Sequence, residues 1–293
     1  MARETDLMNL MNRIESLESQ VRFQQLLETS TAVTEFSPTD ITSILLWYDF
    51  QDYYRLFTDA GTTRVFANSA AIYQVNDKSG NDDHATQSTS GSRPAYTQIL
   101  NDLSASLYDG TADFLIGPTN VDLSGGCSIF AVMRPTEARI HQLYSIYNDD
   151  GSGIQNRLQC YVASDGSVGF RLHQNATGSG VYIGRKSAVS EVSANLTYLI
   201  EGHYDGGTTE SGIDIILNGS AVDNADDSAG SFTGVPSTTN VPFRVGTQFS
   251  GVTPVISAPW KGYIMDVVVF GAEITEAEKT SMRTYLNGKW SIY

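Results

Sequence analysis

The 293-residue sequence has little positive charge, with 18 Lys and Arg residues against 33 Asp and Glu and a formal net charge of −15. Proteins that bind nucleic acids or anionic membrane surfaces need clustered basic residues, and the sequence contains no such cluster. We therefore expect no nucleic-acid partner and no membrane partner. An acidic surface is instead typical of an abundant assembly that has to remain soluble.

Cysteine is scarce as well, since Cys127 and Cys160 are the two cysteines of the chain. Neither belongs to a Cys-x-x-Cys motif and no group of histidines accompanies them, which disfavours a zinc site. Both lie in apolar runs that read as strands. We expect them to act as small buried hydrophobic residues, with a disulfide as the alternative.

Long apolar runs are missing too, and no stretch approaches the length that spans a membrane. The N-terminus lacks the basic segment and the apolar run of a secretory signal peptide. We expect the chain to stay in the cytoplasm of the cell that makes it, or to leave by another route such as cell lysis.

Glycine and proline are both absent before Pro38, so nothing there interrupts a helix. Apolar residues recur in this segment at spacings of three and four, which is the a/d seam of a heptad repeat; they are Leu7, Leu10, Ile14, Leu17 and Val21. A helix this short is marginal alone. Residues 1–29 are therefore predicted to form an intermolecular coiled coil that anchors the chain, and residues 30–43 a linker. The alternative is an amphipathic helix that packs on its own domain.

The number of helices follows from a second pattern in the same segment. Arg13, Ile14, Leu17 and Glu18 resemble the trimerisation pattern of short coiled coils: Arg, apolar, two free positions, apolar, Glu. In that arrangement Arg13 reaches Glu18 of the neighbouring helix while its methylene groups cover the apolar core. The sequence predicts a homotrimer.

Residues 44–293 read as one domain of short strands between turns. Alternating or apolar segments typical of strands lie at 128–133, 158–162, 168–172, 198–202, 213–217 and 264–270. Asp-Gly and Asn-Gly pairs mark the turns. Thr275 and Glu278 have the spacing of a capping box, which predicts a short C-terminal helix through residue 289. The fold class is mainly β, a two-sheet sandwich with one helix at its end.

Blocks of residues along this domain carry a family resemblance. They include Leu-Trp-Tyr-Asp at 46–49, Asn-Asp-Lys-Ser-Gly-Asn at 76–81, Leu-Tyr-Asp-Gly at 107–110, Ile-Phe-Ala-Val-Met at 129–133 and Tyr-Leu-Asn-Gly-Lys-Trp at 285–290. They resemble concanavalin A-like, laminin G-like jelly-roll domains of the type found on bacteriophage virions. The resemblance implies a jelly-roll sandwich and a place on a phage particle. It implies little about activity, because this fold hosts lectins, glycanases and structural modules alike.

Enzymatic signatures are weak in this sequence. Hydrolases of the resembled fold place two catalytic carboxylates on one strand as Glu-x-Asp-x-x-Glu, and no such run is present. Glu201, His203 and Asp205 have the right alternation but only one Glu. The four histidines stand apart and no Gly-x-Ser-x-Gly motif accompanies them. We expect no enzymatic activity, with a glycoside hydrolase as the remaining alternative.

Two other kinds of site are candidates. Asp77 and Asn81 in one loop, with Asp109 and Asp113 in another, offer oxygen ligands for calcium, although Asp and Asn are also common turn residues. A carbohydrate site is predicted where aromatic and polar residues adjoin, at Tyr144, Tyr147, Asn148, Asp149 and Asp150. Tyr53 and Tyr54 form a second aromatic pair. Aromatic residues also mark protein interfaces, so contact with a neighbouring subunit is the alternative.

These features together predict a non-enzymatic, homotrimeric bacteriophage virion protein made in the bacterial host cytoplasm. It would be a capsid decoration or head-fibre protein attached to a major capsid or tail protein, with weak adhesion to host-surface glycans as an added role. A tail-fibre protein that recognises a host polysaccharide is the main alternative, and a glycoside hydrolase the second. Calcium is the one cofactor that the sequence leaves open.

Overall fold

The computed structural model describes residues 35–98, 103–149, 157–174, 180–237, 240–250 and 255–293. The predicted coiled coil, with Leu7, Leu10, Arg13, Ile14, Leu17, Glu18 and Val21, lies outside these residues. So do residues 30–34 of the predicted linker. Pro38–Tyr293 forms one unit, and its secondary structure is mainly β, as predicted.

Eight of the strands, numbered in chain order, form an antiparallel sheet that we call sheet A. They are β1 (Ile44–Asp49), β5 (Ala95–Gln98), β6 (Ser104–Asp109), β8 (Cys127–Pro135), β14 (Tyr198–Tyr204), β15 (Ile213–Leu217), β16 (Ser220–Ala221) and β21 (Lys261–Phe270). Their order is β16-β15-β14-β8-β21-β6-β5, and β1 also pairs with β21. β8 and β21 are the long central strands, in agreement with their continuous apolar sequence.

Ten strands form the opposite antiparallel sheet, sheet B. They are β2 (Leu56–Phe57), β3 (Gln74–Val75), β4 (Ala85–Thr86), β7 (Leu115–Ile116), β9 (His141–Ile146), β11 (Leu158–Val162), β12 (Val168–Gln174), β13 (Val181–Ser187), β17 (Asp223–Asp226) and β18 (Arg244–Val245). The order is β17-β13-β12-β11-β9-β18-β7-β4-β3-β2. A small third sheet joins β10 (Asn148–Asp149), β19 (Gln248–Ser250) and β20 (Val255–Ser257), with β10 and β19 parallel.

The core lies between the inner faces of the two large sheets. Alternate residues of each strand point inward, such as Ile129 and Ala131 from β8 and Phe170 from β12. Gly202 lies directly beneath Phe170, where a Cβ atom would come within 2.4 Å of the ring. Glycine at this position therefore lets the two sheets approach, and Phe170 occupies the space that a larger residue would take.

The turn, helix and cysteine predictions are confirmed. The glycines of the Asp-Gly and Asn-Gly pairs have positive φ angles, as turns of this kind require: Gly110, Gly166, Gly206 and Gly219. Cys127 and Cys160 are free and buried, so they are the small hydrophobic residues that we expected. Among the described residues no helix is long and apolar enough to cross a membrane.

The C-terminal helix α1 (Glu276–Trp290) covers the outer face of sheet A. Thr275 begins it with a capping box, in which the Glu278 amide donates to Thr275 Oγ1 at 3.3 Å and the Thr275 amide donates to Glu278 Oε2 at 2.8 Å. Met282 and Leu286 of α1 are buried. Sheet A is therefore apolar on both faces, and its outer apolar residues form a second, smaller core with α1; they include Phe130, Val132, Leu199, Val268 and Phe270.

Buried charges tie α1 to the sheet. Asp266 of β21 has no exposed surface, and it accepts hydrogen bonds from Trp47 Nε1 at 3.0 Å and Trp290 Nε1 at 2.6 Å. Lys289 Nζ lies 2.7 Å from Asp266 and 2.6 Å from Asp49. Burial raises the pKa of Asp266 to about 6. The two indoles and the lysine satisfy a carboxylate that would otherwise be costly to bury.

A second buried carboxylate, Glu201 of β14, pairs with Arg283 of α1, whose Nε lies 2.9 Å from both carboxylate oxygens. His203 Nε2 lies 3.2 Å from Glu201 on the other side. Glu201 is fully buried while Arg283 is partly exposed. The pair fixes the middle of α1 over sheet A.

We expect Arg283→Met to lower the free energy of unfolding by about 3–5 kcal/mol, because it leaves Glu201 as an uncompensated buried charge. Urea denaturation followed by circular dichroism measures this change. The double variant Glu201→Gln/Arg283→Met is the control, and it should regain much of the loss because the buried charge is gone. A double variant no more stable than Arg283→Met would contradict the explanation.

Candidate functional site

α1 covers the outer face of sheet A. The outer face of sheet B instead carries aromatic and hydrogen-bonding side chains. On β11, β12 and β13 the residues that alternate with the inward apolar ones are polar, aromatic or glycine. We call the following set the aromatic face: Tyr147, Tyr161, Arg171, His173, Tyr182 and Asp227. All three tyrosines and Arg171 are partly exposed. This is the best candidate for a binding surface in the described part of the chain.

Arg171 holds the centre of the aromatic face in place. Its guanidinium carbon lies 5.0 Å from the centroid of the Tyr161 ring and 4.7 Å from that of Tyr182. Its Nε and Nη2 donate to the two carboxylate oxygens of Asp227 at 2.7 and 3.0 Å, and Tyr161 Oη donates to the same carboxylate at 2.9 Å. Arg171 is therefore neutralised, and its role is to fix the two rings.

Two glycines let these side chains lie flat against the sheet. Gly169 lies opposite Tyr161 in the register of β11 and β12, and a Cβ there would come within 2.2 Å of the tyrosine ring. A Cβ at Gly184 would lie 2.8 Å from Cγ of Arg171. Any larger residue would push the ring or the guanidinium off the sheet, so the glycines set the flatness of the surface.

His173 continues the row of rings at one end of the face. Its ring centroid lies 5.2 Å from that of Tyr182 and 5.3 Å from that of Tyr147. His173 Nε2 lies 2.8 Å from Gln159 Oε1, and Gln159 Nε2 in turn donates to Gln248 Oε1. Burial lowers the pKa of His173 to about 3, so the ring is neutral. With Nε2 as the donor, Nδ1 is a hydrogen-bond acceptor.

Unsatisfied polar atoms gather around Tyr147. Within the described ranges, His173 Nδ1, Arg157 Nη1 and Nη2, and Arg244 Nε are buried and have no hydrogen-bond partner. Arg244 Nη1 donates to the Tyr147 carbonyl at 2.9 Å. Arg157 precedes β11, and its carbonyl accepts the His173 amide at 2.8 Å. Buried polar groups are normally paired, so atoms of this kind beside half-buried rings mark a place where a ligand can supply the missing bonds.

The structure places the residues that were predicted to bind carbohydrate in different environments. Tyr144 is fully buried in the main core and stacks on Phe243 with ring centroids 6.0 Å apart, so its prediction as a sugar contact was wrong. It occupies an inward position of β9, opposite Cys160. Tyr147 does belong to the candidate site. Asn148 and Asp149 form β10, next to that site, whereas Asp150 lies outside the described residues.

The four residues predicted to bind calcium are not brought together. Asp77 lies beside β1, where it accepts the Trp47 amide at 2.8 Å, and Trp47 pairs with Val268 near the end of β21. Asp109 pairs with Lys261 at the other end of that strand. One site formed by Asp77, Asn81, Asp109 and Asp113 is therefore not compatible with the register of sheet A.

Each of these loops uses its oxygens internally. The Asp77 carboxylate accepts from Ser79, and Asn81 Nδ2 donates to the carbonyls of residues 44 and 45. Asp109 Oδ1 accepts three amides of its own turn, including that of Asp113. Across the residues that the structure describes, no group of three or more His, Cys, Asp or Glu could hold a metal ion. These residues organise turns.

Glu201 and Asp205, the residues considered for hydrolysis, do not face one groove. Glu201 is covered by α1 and paired with Arg283, so a glycan cannot reach it. Asp205 is exposed in the turn after β14, where its Oδ1 accepts the Gly207 amide at 2.7 Å. The alternation that placed Glu201 and His203 on one face was right, but that face lies beneath the helix.

Most of the aromatic face was missed in the sequence. A usable signal was present, because the alternation in 158–162 and 168–172 places Gln159, Tyr161 and Arg171 on the face opposite the core. Solvent-facing strand positions commonly carry Thr, Ser or Lys. Paired aromatic rings and an arginine at such positions therefore differ from the usual pattern. Asp227 and Arg244 gave no such signal, since they reach the site from distant parts of the chain.

Comparison with known proteins supports the fold. No protein-family model and no curated protein matches the chain. A structure of botulinum neurotoxin type C has a TM-score of 0.53 at 14% identity, over 85% of this chain and 52% of that one. The binding domain of Paraclostridial Mosquitocidal Protein 1 has a TM-score of 0.54 at 12% identity, over 85% of this chain and 53% of the other.

A third similar structure is domain 4 of AbnA, a GH43 extracellular arabinanase from Geobacillus stearothermophilus. Its TM-score is 0.50 at 13% identity, over 82% of this chain and 98% of that domain. The present chain thus spans about half the length of the two toxin chains and nearly all of the arabinanase domain. At these identities the similarity shows a shared β-sandwich fold.

The low pKa of His173 predicts an acid-dependent loss of stability. Between its ordinary value of 6.5 and about 3, the unfolded chain binds a proton at this position and the folded chain does not. Acidification therefore favours unfolding, by up to about 1.4 kcal/mol per pH unit from this one group. We expect His173→Gln to remove that contribution, measured by urea unfolding at about pH 7 and about pH 4.5. A His173 ring that titrates near its ordinary pKa by NMR would contradict the prediction.

Proposed function

We propose that this chain is a non-enzymatic glycan-binding protein of a bacteriophage virion, a homotrimeric capsid decoration or head-fibre protein whose aromatic face contacts host-surface glycans. The observation that carries the glycan-binding part is the aromatic face itself. It combines partly exposed, rigidly held rings with buried hydrogen-bonding atoms that lack partners, on one face of the same sheet. Sites for small ligands usually combine apolar or aromatic contact area with a few polar groups that fix orientation.

The neighbours in structure support a carbohydrate ligand. The type C neurotoxin is described as entering cells through interaction with two ganglioside molecules. Domain 4 of the arabinanase was solved in complex with arabinotriose. A sandwich of this shape thus occurs in carbohydrate-binding proteins, and we extend that role to this chain on the strength of its own aromatic face.

The virion and trimer parts of the proposal are supported by the sequence. The blocks from 46 to 290 resemble jelly-roll domains of phage particles, and residues 7–21 carry the heptad seam with the Arg13–Glu18 trimer pattern. Three copies on one stalk would raise the avidity of a weak site by about 10²–10⁴. Weak binding at each face would then suffice for adhesion.

A tail-fibre receptor-binding protein is the alternative, and it would share the same face and the same trimer. The two roles differ in affinity and selectivity. Millimolar binding of many glycans favours a decoration or head fibre, whereas tight binding of a single polysaccharide favours a tail fibre. Glycoside hydrolysis has no support from the geometry, because Glu201 lies beneath α1.

A glycan array with the full chain tests the binding proposal. We expect weak binding to glycans and at least a tenfold loss in Tyr182→Ala, because that ring is partly exposed on the aromatic face. Tyr293→Ala is the matched control, since it removes a tyrosine that is 54% exposed elsewhere on the surface. Circular dichroism checks that both variants fold. No binding, or equal binding by Tyr182→Ala, would contradict the proposal.

The solution mass tests the assembly proposal. We expect the full chain to be a trimer and a chain beginning at Ala32 to be a monomer, because the truncation removes the whole heptad seam. Light scattering coupled to size exclusion measures both. A full chain that is already a monomer would contradict the trimer and the avidity that depends on it.

A further inference from the structure

Arg157 and Arg244, the two buried arginines of the described residues, lack the carboxylate partner that several other arginines have. Arg157 is 1% exposed and Arg244 is 5% exposed, yet neither forms an ion pair with a described carboxylate. By contrast, Arg171 pairs with Asp227, Arg185 with Asp223 and Arg283 with Glu201. In a chain that carries 33 acidic residues, the absence of a carboxylate beside these two cations calls for a physical reason.

Both arginines flank the same point of the site. Arg244 Nη1 donates to the Tyr147 carbonyl at 2.9 Å, and its guanidinium carbon lies 4.2 Å from the centroid of the Phe249 ring. The Arg157 amide donates to the Ile146 carbonyl at 2.9 Å.

Leu158 pairs with Leu172 in the ladder of β11 and β12, and the Arg157 carbonyl accepts the His173 amide at 2.8 Å. Arg157 therefore lies opposite His173, and opposite residues share one face of a sheet. Both arginines are thus placed beside Tyr147, at the end of the aromatic face.

An unpaired buried cation is unfavourable. Removing a charge from water costs several kcal/mol unless an opposite charge replaces the lost solvation. In agreement, burial lowers the pKa of Arg157 to about 10, against a smaller opposing effect of Asp122, and burial lowers the pKa of Arg244 to about 10. The free chain carries this cost, and an anion bound at the site would remove it.

The guanidinium donors of Arg157 that lack a hydrogen-bond partner indicate which kind of anion would bind. Nη1 and Nη2 are both without a partner among the described residues, and together they form the outer edge of a planar guanidinium. Two parallel N–H groups of this kind match the two oxygens of a carboxylate or a phosphate. A neutral hydroxyl would satisfy one donor and leave the charge unpaired.

We propose that the aromatic face selects acidic glycans, and that Arg157 and Arg244 bind the carboxylate or phosphate group of the sugar. The inference rests on the proposed glycan-binding function and specifies its ligand class. The rings of Tyr182 and Tyr147 would contact the sugar while the two arginines bind its charge. Because both guanidinium groups are covered in the free chain, binding requires the side chains around them to move.

The test is an array in which every uronate- or sialate-bearing glycan is printed beside its own methyl ester, with phosphorylated glycans and their neutral parents alongside. The wild-type full chain should bind acidic members at least tenfold better than their neutral partners. Arg157→Met should abolish that preference, because binding of the acidic members falls to the level of their neutral partners. The carboxylate and phosphate pairs show which anion is preferred.

Two further variants separate binding from structure. Arg185→Met removes a positive charge that is already paired with Asp223, so it should leave the acidic preference intact. Arg157→Met should also leave the free protein as stable as the wild type or more stable in urea, because it removes an unpaired buried charge. Arg283→Met, in which a paired arginine is lost, should change the stability in the opposite direction.

The outcomes distinguish the two proposals. If acidic glycans and their esters bind equally, the acidic ligand class is wrong and glycan binding stands. If Arg157→Met loses stability and all binding together, Arg157 is structural and the inference is wrong. If no glycan of either kind binds, the proposed function fails and the inference fails with it.

Discussion

The packing of α1 on sheet A is the constraint on which the rest of the structure depends. Asp266 and Glu201 are buried on the outer face of that sheet, and Lys289, Arg283 and two indoles from both sides of the interface satisfy them. A helix held by these contacts cannot leave without exposing an apolar surface and two buried charges. Sheet A is therefore covered on both faces, whereas Tyr161 and Tyr182 on the outer face of sheet B remain partly exposed.

Buried charges are paired in one region of the described structure and unpaired in another. Beneath α1 every buried carboxylate that holds the helix has a cationic or indole partner, which is what stability requires. Around Tyr147 the buried cations Arg157 and Arg244 have no ion pair with a carboxylate of the described residues. Binding sites commonly retain groups that are unfavourable in the free protein because a ligand satisfies them. The contrast between the two regions, rather than either one alone, is what points to an anionic ligand.

Local sequence was a reliable guide wherever short-range chemistry decides the structure. The alternation at 158–162 and 213–217 gave strands with those bounds, and Thr275 with Glu278 gave the capping box at the start of α1. The apolar runs around Cys127 and Cys160 gave buried free thiols. Sequence failed for Tyr144, because alternation tells which residues share a face but not whether that face is the core. It failed for calcium because the register of sheet A separates Asp77 from Asp109.

The sequence by itself determined the mainly β class, the turn positions and the helix cap, because these follow from periodicity and backbone preference. The heptad seam in residues 7–21 is also a property of sequence alone. Only the tertiary structure decided which sheet α1 covers, that Glu201 is buried beneath this helix, and that Asp227 and Arg244 join Tyr161 and His173. Those facts depend on contacts between residues far apart in the chain, for which no local pattern carries the information.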